Sequence, residues 1–383
     1  MPKVVFVTNV VPIYRYPIFE RLARANDFRF QILVTVPLSV SCPDAVANLP
    51  LKYSRSLNVL RTTNHSASGA MQREPFSIPL TLIADLVRCR PDIIVAGDFG
   101  LRSAICWCVA RLLGCRFVLS SEEIATSALG RSRLQHRMRR FLVRRADAFL
   151  AWGDPARLLL RSMNVGESRI FTCAQAVDNE FWLRQAQSLD RRAERASLGF
   201  DGVVFLLVGR ALPRKGFQNF LDAWGRLPRE LHARLCAVIV GDGNYLEHLK
   251  SAAAARGLGN VRFSGAKSAA QLARFYAAAD IFVFPSLEDV WGLVVNEAMC
   301  FGLPVLASQF AGASQSLVAG SGIGLVFNPA DIDEFAARLC EWARRPPAPA
   351  PGACREVLEN VTFDHSRDAI QRMVADVAAG HGA

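Results

Sequence analysis

The sequence predicts an α/β protein made of two domains, each a parallel sheet covered on both faces by helices. Three observations carry this. The chain has 383 residues, against a usual ~150 per domain. Hydrophobic residues make up 51% and charged residues 21%, a composition that buries a core instead of staying disordered. Short β-branched runs alternate with helical patterns along the whole length, and they do so in two series.

In the first series KVVFVTNV, FRFQILVTV, PDIIVAG and CRFVLSS read as buried strands; in the second, VVFLLVGR, CAVIVGDG, VRFSG, DIFVFPS and PVLAS do. Strands this apolar, with helices between them, belong to parallel sheets covered on both sides. No short fixed repeat is present. The polar, Arg-rich stretch LRQAQSLDRRAERASLG joins the two series, so the domains are expected at 1–190 and 191–363. RRPPAPAPG is a Pro-rich segment in which no helix continues. The helix expected beyond it, within 364–383, has no sheet of its own and must dock on another domain, the first being the candidate host. Open α/β sheets bind ligands outside the carboxyl ends of their strands, so two facing sheets would line a central cleft.

The net charge of +11 attracts phosphate in some form: nucleotide, nucleic acid or anionic lipid. Ten cysteines are scattered, and only Cys106 and Cys108 lie close, at a spacing that fits neither a zinc knuckle nor a redox Cys-x-x-Cys. Reduced core thiols are expected. No acid, His or Cys spacing suggests a metal site. His65, His136, His232, His248, His365 and His381 read as surface or structural residues. No stretch is long enough to span a bilayer, and the N-terminus reads as a strand, not a signal peptide. A cytoplasmic location is expected.

The second series holds the chemistry. In VFLLVGRALPRKGFQNFLDAW, Gly209 and Gly216 flank a loop carrying Arg210, Arg214 and Lys215, followed by a helix. Glycine lets backbone N–H groups approach an anion, and the helix offers its positive end; an ordinary surface turn is the competing reading. GDGNYLEHL lacks the third glycine of the dinucleotide fingerprint. AGDFG matches a kinase magnesium loop in letters only and has none of the accompanying motifs. In EDVWGLVVNEAM, Glu288 and Asp289 precede a helix starting near Trp291 or Gly292, where free N–H groups favour anions. Glu297 lies further along that largely apolar helix, where a buried carboxylate needs a partner. The alternatives are a helix cap with a structural hydrogen bond, or two acids that hold ligand hydroxyls.

From Val204 to about Val326, a third of the chain, the sequence resembles the donor domain of retaining nucleotide-sugar glycosyltransferases of family four, with the GT-B architecture. The matching segments are VGRALPRKG, VIVGDGNYLEHLK, NVRFSGAKSAAQLARFYAAADIFVFPSLEDVWGLVVNEAMCFGLPVLAS and SGIGLVFNPAD. The resemblance implies that Glu297 holds the donor ribose, that Asp289 contacts the transferred sugar, and that backbone around Val290, Trp291, Gly292 and Leu293 meets sugar or phosphate oxygens. Arg210 and Lys215, beside Gly209, match the residues that hold the diphosphate. The first acid is usually Glu in that family; here it is the shorter Asp.

The first domain matches less. The loop at YRYPIFERLA lacks the family's glycine pair, and Arg15 there could reach phosphate or stand exposed. Where the family often has a His, RFVLSSEEIATS offers Glu122 and Glu123. Glu122 is the candidate to orient an acceptor or take its proton; a cluster capping a helix is the alternative. In GRSRLQHRMRRFLVRRADAFLAWG, Leu134, Met138, Phe141, Leu142 and Arg145 fit one stripe of a helix whose basic face holds Arg137, Arg139, Arg140, Arg144 and Arg145. That face is either solvated or set against anionic headgroups or a lipid-linked acceptor.

The resulting expectation is a GT-B enzyme that moves a sugar from a nucleotide-sugar donor to a glycan or lipid-linked acceptor, with retention. It needs no cofactor or metal, does not bind nucleic acid, and contacts the inner face of the membrane peripherally. The alternatives are another GT-B enzyme, such as a nucleotide-sugar epimerase, and a non-catalytic protein that uses its basic face on membrane or nucleic acid.

Overall fold

A computed structural model describes residues 1–36, 48–64, 71–125 and 132–380, with side chains between 58 and 77 outside the description. Cys42, His65, His381 and the residues 126–131 between the two acids and the basic helix lie outside the described residues. The chain divides into two compact units, Met1–Asn64 with Met71–Gln175 and Phe363–Ala383, and Ala176–Thr362.

The first unit runs β1 (Lys3–Thr8), α1 (Tyr16–Ala23), β2 (Arg29–Val34), β3 (Leu51–Tyr53), β4 (Ser56–Asn64), β5 (Met71–Pro79), α2 (Leu82–Cys89), β6 (Ile93–Gly97), α3 (Leu101–Leu113), β7 (Arg116–Ser121), α4 (Arg133–Val143), β8 (Ala148–Trp152), α5 (Asp154–Ser162) and β9 (Ile170–Cys173). Its sheet has the order β3-β2-β1-β6-β7-β8-β9 and is parallel throughout. β4 and β5 form a separate antiparallel hairpin.

The second unit holds α6 (Asn179–Ser188), α7 (Arg191–Leu198), β10 (Val203–Val208), α8 (Phe217–Trp224), α9 (Arg229–His232), β11 (Leu235–Val240), α10 (Leu246–Ala255), β12 (Val261–Gly265), α11 (Ala269–Ala278), β13 (Ile281–Phe284), α12 (Leu293–Cys300), β14 (Val305–Ser308), β15 (Gly324–Phe327), α13 (Ile332–Arg344) and α14 (Pro351–Glu359). Its sheet, β12-β11-β10-β13-β14-β15, is also parallel. β10 shows why its run is apolar without alternation. Val204, Leu206 and Val208 enter one core and Phe205 and Leu207 the other, because successive side chains of a strand point to opposite faces and both are covered.

The sequence set the domain division near 190. The chain divides at Gln175 instead, because α6 packs into the second unit: Trp182 meets Tyr276 edge-on at 5.8 Å, and Asn179 Nδ2 donates to the Leu358 and Val361 carbonyls at 3.3 and 2.9 Å. α15 (Phe363–Ala378) follows the Pro-rich segment and returns to the first unit. Ile370, Met373, Val374 and Val377 are buried at the spacing of one helix face, Ser366 Oγ donates to the Ala174 carbonyl at 2.8 Å, and Arg21 pairs with Asp364 at 3.1 Å. The hairpin and the strands β3, β8, β9 and β15 were not read from the sequence. Apolar runs of three to five residues cannot be told from helix segments by periodicity, and the hairpin carries no Asn-Gly or Asp-Gly turn signal.

Candidate functional site

In each sheet the strand order reverses direction once, between β1 and β6 and between β10 and β13. Such a switch point opens a crevice at the carboxyl ends of the two strands. In the second unit these ends carry the loop Gly209–Gly216 and the loop Pro285–Gly292, the two segments that hold the sequence candidates.

The two loops are tied together by main-chain contacts. Leu287 N–H donates to the Arg214 carbonyl at 2.8 Å, the Arg214 guanidinium to the Glu288 carbonyl at 3.1 Å, and Ser286 Oγ to both carbonyls. Gly216 makes this approach possible. Its φ is +69°, and a Cβ there would lie 1.9 Å from the Pro285 carbonyl oxygen, so a side chain is excluded by conformation and by space. Lys215 thereby reaches Asp289: Nζ is bonded to Oδ2, with side-chain exposures of 15% and 16%. The Lys215 ammonium also sits 5.9 Å from the Phe284 ring centre. Arg210 is exposed and makes no ion pair with another described residue.

α12 begins where the sequence placed it, with Gly292 as its N-cap at φ +101°; a Cβ there would strike the Phe284 ring at 2.5 Å. Its first bond is Val295 N–H to the Gly292 carbonyl at 2.9 Å, so the preceding N–H groups of Leu293 and Val294 have no intrahelical acceptor. The buried Trp291 is pinned by its indole N–H donating to Asn296 at 2.9 Å, and its carbonyl accepts from Ala313 N–H at 3.0 Å. Val290, Trp291 and Leu293 are therefore held as main chain. One and a half turns on, Glu297 accepts from the Tyr276 hydroxyl at 2.8 Å. It keeps a partly accessible edge yet lies deep among protein atoms, and burial pushes its carboxyl up to about 7 from the ordinary 4.5, the Tyr276 hydrogen bond opposing the rise. The Tyr276 hydroxyl, fully buried beside that acid, is pushed well above its usual range by the burial first and by the acid second.

In the first unit a polar cavity of about 190 Å³ occupies the switch point, lined by Thr8, Asn9, Asp98, Arg102, Ser120 and Glu122 among others. Arg15 is not an exposed loop residue. It is 12% exposed, pairs with Glu122 at 2.8 Å, and lies 3.9 Å over the Trp152 ring, whose indole donates to Ser120 at 2.9 Å. Glu123 pairs with Arg139, so the two adjacent acids are each fixed by a guanidinium, and the helix-cap alternative has no support in the described residues. The sequence reading gave no site role to Asp98 or Arg102 and set Arg139 on the basic face of its helix. Asp98 sits in AGDFG, which was set aside as a kinase-like string; its position just after a central strand was the usable signal. It has φ +71° and pairs with Arg102.

The basic helix is corrected at Arg139 and Leu134. Arg139 is 6% exposed and turned inward to Glu123. Arg145 covers the Phe141 ring at 4.4 Å and the Trp107 ring at 5.3 Å. Leu134, assigned to the packed stripe, is 72% exposed. The exposed arginines of this basic face are thus Arg137, Arg140, Arg144 and Arg145. Among the other residues weighed, His232 lies 3.2 Å from Asn260 and His248 stacks on Tyr245 at 4.4 Å, both as packing. The described cysteines are free thiols; burial pushes Cys106 and Cys354 up to about 12.

Comparison with known proteins places this geometry. The family model described as glycosyl transferases group 1 matches residues 190–352. Among curated relatives, a sulfoquinovosyl transferase of Arabidopsis thaliana is 27% identical over 279 residues, 70% of this chain and 53% of the plant protein. D-inositol 3-phosphate glycosyltransferase 2 of Catenulispora acidiphila is 33% identical over 214 residues, 52% of this chain and 49% of that protein. The chain thus spans about half the length of the curated relatives it matches. A crystal structure of Anabaena HepE with UDP superposes with a TM-score of 0.75 at 19% identity, over 98% of this chain and 100% of that one. The fold is the two-unit GT-B class, and residues 190–352 match the glycosyl transferases group 1 family model.

Proposed function

We infer that the protein transfers a sugar from a nucleoside-diphosphate sugar to an acceptor hydroxyl, with retention at the anomeric carbon. The observation that carries this is the pairing of Lys215 with Asp289 at the open first turn of α12, with Glu297 on the same helix. A cation, free backbone N–H groups and two carboxylates suit, in that order, a diphosphate, the sugar joined to it and the ribose beyond. Lys215 and Arg210 stabilise the charge that grows on the leaving diphosphate, aided by the N–H groups of Leu293 and Val294. Asp289 takes sugar hydroxyls, and Glu297 takes ribose hydroxyls. In the first unit Glu122, held by Arg15, orients the acceptor or receives its proton. No enzymic nucleophile stands in this scheme, and no cofactor or metal enters it. The donor itself is the only nucleotide required.

The Anabaena protein was solved with UDP and with UDP-glucose, which makes uridine the first base to test. A glycan or glycolipid acceptor and peripheral membrane contact through Arg137, Arg140 and Arg144 complete the reading; no described helix is long and apolar enough to cross a membrane. The test is thermal unfolding with UDP, GDP, ADP, dTDP and CMP. A donor nucleotide at about a thousandfold above its Kd stabilises by about 4 kcal/mol. No shift with any of the five overturns the transferase reading.

A further inference from the structure

A second cationic site lies in the first unit, lined by none of the donor-loop residues and sharing Arg140 and Arg144 with the basic face described above. α4, α5 and the segment after α5 enclose a cavity of about 750 Å³. His136, Arg139, Arg140, Arg144, Asn164 and Arg169 line it over a floor of Val143 and Val165, and no Asp or Glu is among its lining residues. The charge there is not balanced from nearby. Glu167 is engaged by Arg157 and Arg161, Asp147 by Arg116, and Glu123 by Arg139. Arg169 is anchored by neutral groups only, the Asp147 carbonyl at 3.2 Å and the Ala146 carbonyl, with the Phe149 ring 5.4 Å away. Its guanidinium is held in place and stays uncompensated. Arg140 and Arg144 are exposed on the same helix face and make no ion pair with a described residue.

Like charges held together raise the free energy of the folded state, so a cavity walled by arginines with no acid has a standing demand for an anion. Guanidinium forks match phosphate oxygens two at a time, which an ammonium does not. The volume falls within the range of small-molecule pockets, roughly 300–1,000 Å³, and exceeds what a lone inorganic ion would fill. We propose that this cavity is a binding site for a phosphate monoester or diphosphate group, distinct from the donor site. The shared chemistry is the phosphate; its carrier is either a soluble metabolite or a lipid headgroup. This inference does not depend on the transferase reading, since none of the donor-loop residues lines the cavity.

The test is calorimetric titration with inorganic pyrophosphate. The wild type and Arg210→Ala, which weakens the donor loop, should both retain a site of one equivalent. The double variant Arg140→Ala with Arg144→Ala should bind about tenfold or more weakly at that site. Both arginines are exposed, so the double variant should unfold at the wild-type temperature. The carrier is read in a second arm: glycerol 1-phosphate in solution, and phosphatidylcholine vesicles doped with phosphatidic acid or, at equal charge, with phosphatidylglycerol. Preference for phosphatidic acid that the double variant loses supports a lipid carrier; binding of the soluble ester alone supports a metabolite. Pyrophosphate binding unchanged in the double variant, or absent from the wild type, overturns the proposal. So does equal binding of both vesicle types without pyrophosphate binding, because it reports only diffuse attraction.

Discussion

Asp289 and Glu297 belong to one loop–helix segment, yet their surroundings differ. Asp289 faces a cation: Lys215 completes an ion pair that is largely withdrawn from water. Glu297 faces a neutral hydroxyl in a buried setting that favours its protonated form near pH 7. The same functional group thus faces a cation at one position and is made sensitive to protonation by burial at the other. The sequence motif specifies both acids but not this difference.

Removing the cation from the first pair has the largest expected effect. Lys215→Ala takes away a fixed charge aimed at the diphosphate, and donor turnover should fall about a hundredfold or more. It also leaves the Asp289 carboxylate poorly hydrated, and unfolding in denaturant should show a loss of about 3 kcal/mol, the scale for breaking a buried pair. Wild-type turnover in a folded Lys215→Ala protein breaks the assignment.

The two acids themselves should separate next. Glu297→Ala should weaken binding of the free nucleoside diphosphate by about 2–3 kcal/mol, the scale of hydrogen bonds to a charged group. Asp289→Asn releases Lys215 and should leave that affinity undiminished while donor turnover is lost. Calorimetric titration of both variants decides. Equal loss of nucleotide affinity means that the two carboxylates share one role.

The pH response sharpens the contrast further. The Glu297 carboxyl is raised to about 7 in the folded protein from 4.5, so between those values the folded state binds more protons than the unfolded one. Its contribution is therefore full below pH 4.5 and lost as pH rises through about 7, on the order of 3 kcal/mol. Unfolding curves of Glu297→Gln should lack that decline relative to wild type; an identical slope in both would place the titration elsewhere. The smallest change is Tyr276→Phe. It removes the hydroxyl that opposes the rise and should cost about 1 kcal/mol in stability while moving the decline to higher pH.

How much of this was legible depends on distance along the chain. The second-unit strands other than β15, the loop around Lys215 and the start of α12 are local patterns of strand, glycine and apolar helix, and each could be read where it stands. Tyr276, Arg15 and Arg139 could not. They meet Glu297, Glu122 and Glu123 from separate elements, brought close only when the sheets close their order, and no periodicity encodes a partner 107 residues away, as Arg15 is from Glu122. The basic helix failed for a related reason. Its pattern separates polar from apolar faces, but Arg139 is polar and buried, and nothing within the helix announces the acid that draws it in.

α15 has a consequence for how the polypeptide comes into being. Ala176–Thr362 is one uninterrupted stretch of the second unit, whereas the first unit's last helix is synthesised after all of it. Translation at ~5–20 residues per second takes roughly 10–40 s to traverse that stretch. Throughout, the nascent first unit presents the apolar sheet face that Ile370, Met373, Val374 and Val377 later cover. The order of completion is then opposite to the order of emergence: the unit made second can close first, and the unit made first waits exposed, the stage at which a chaperone would engage it.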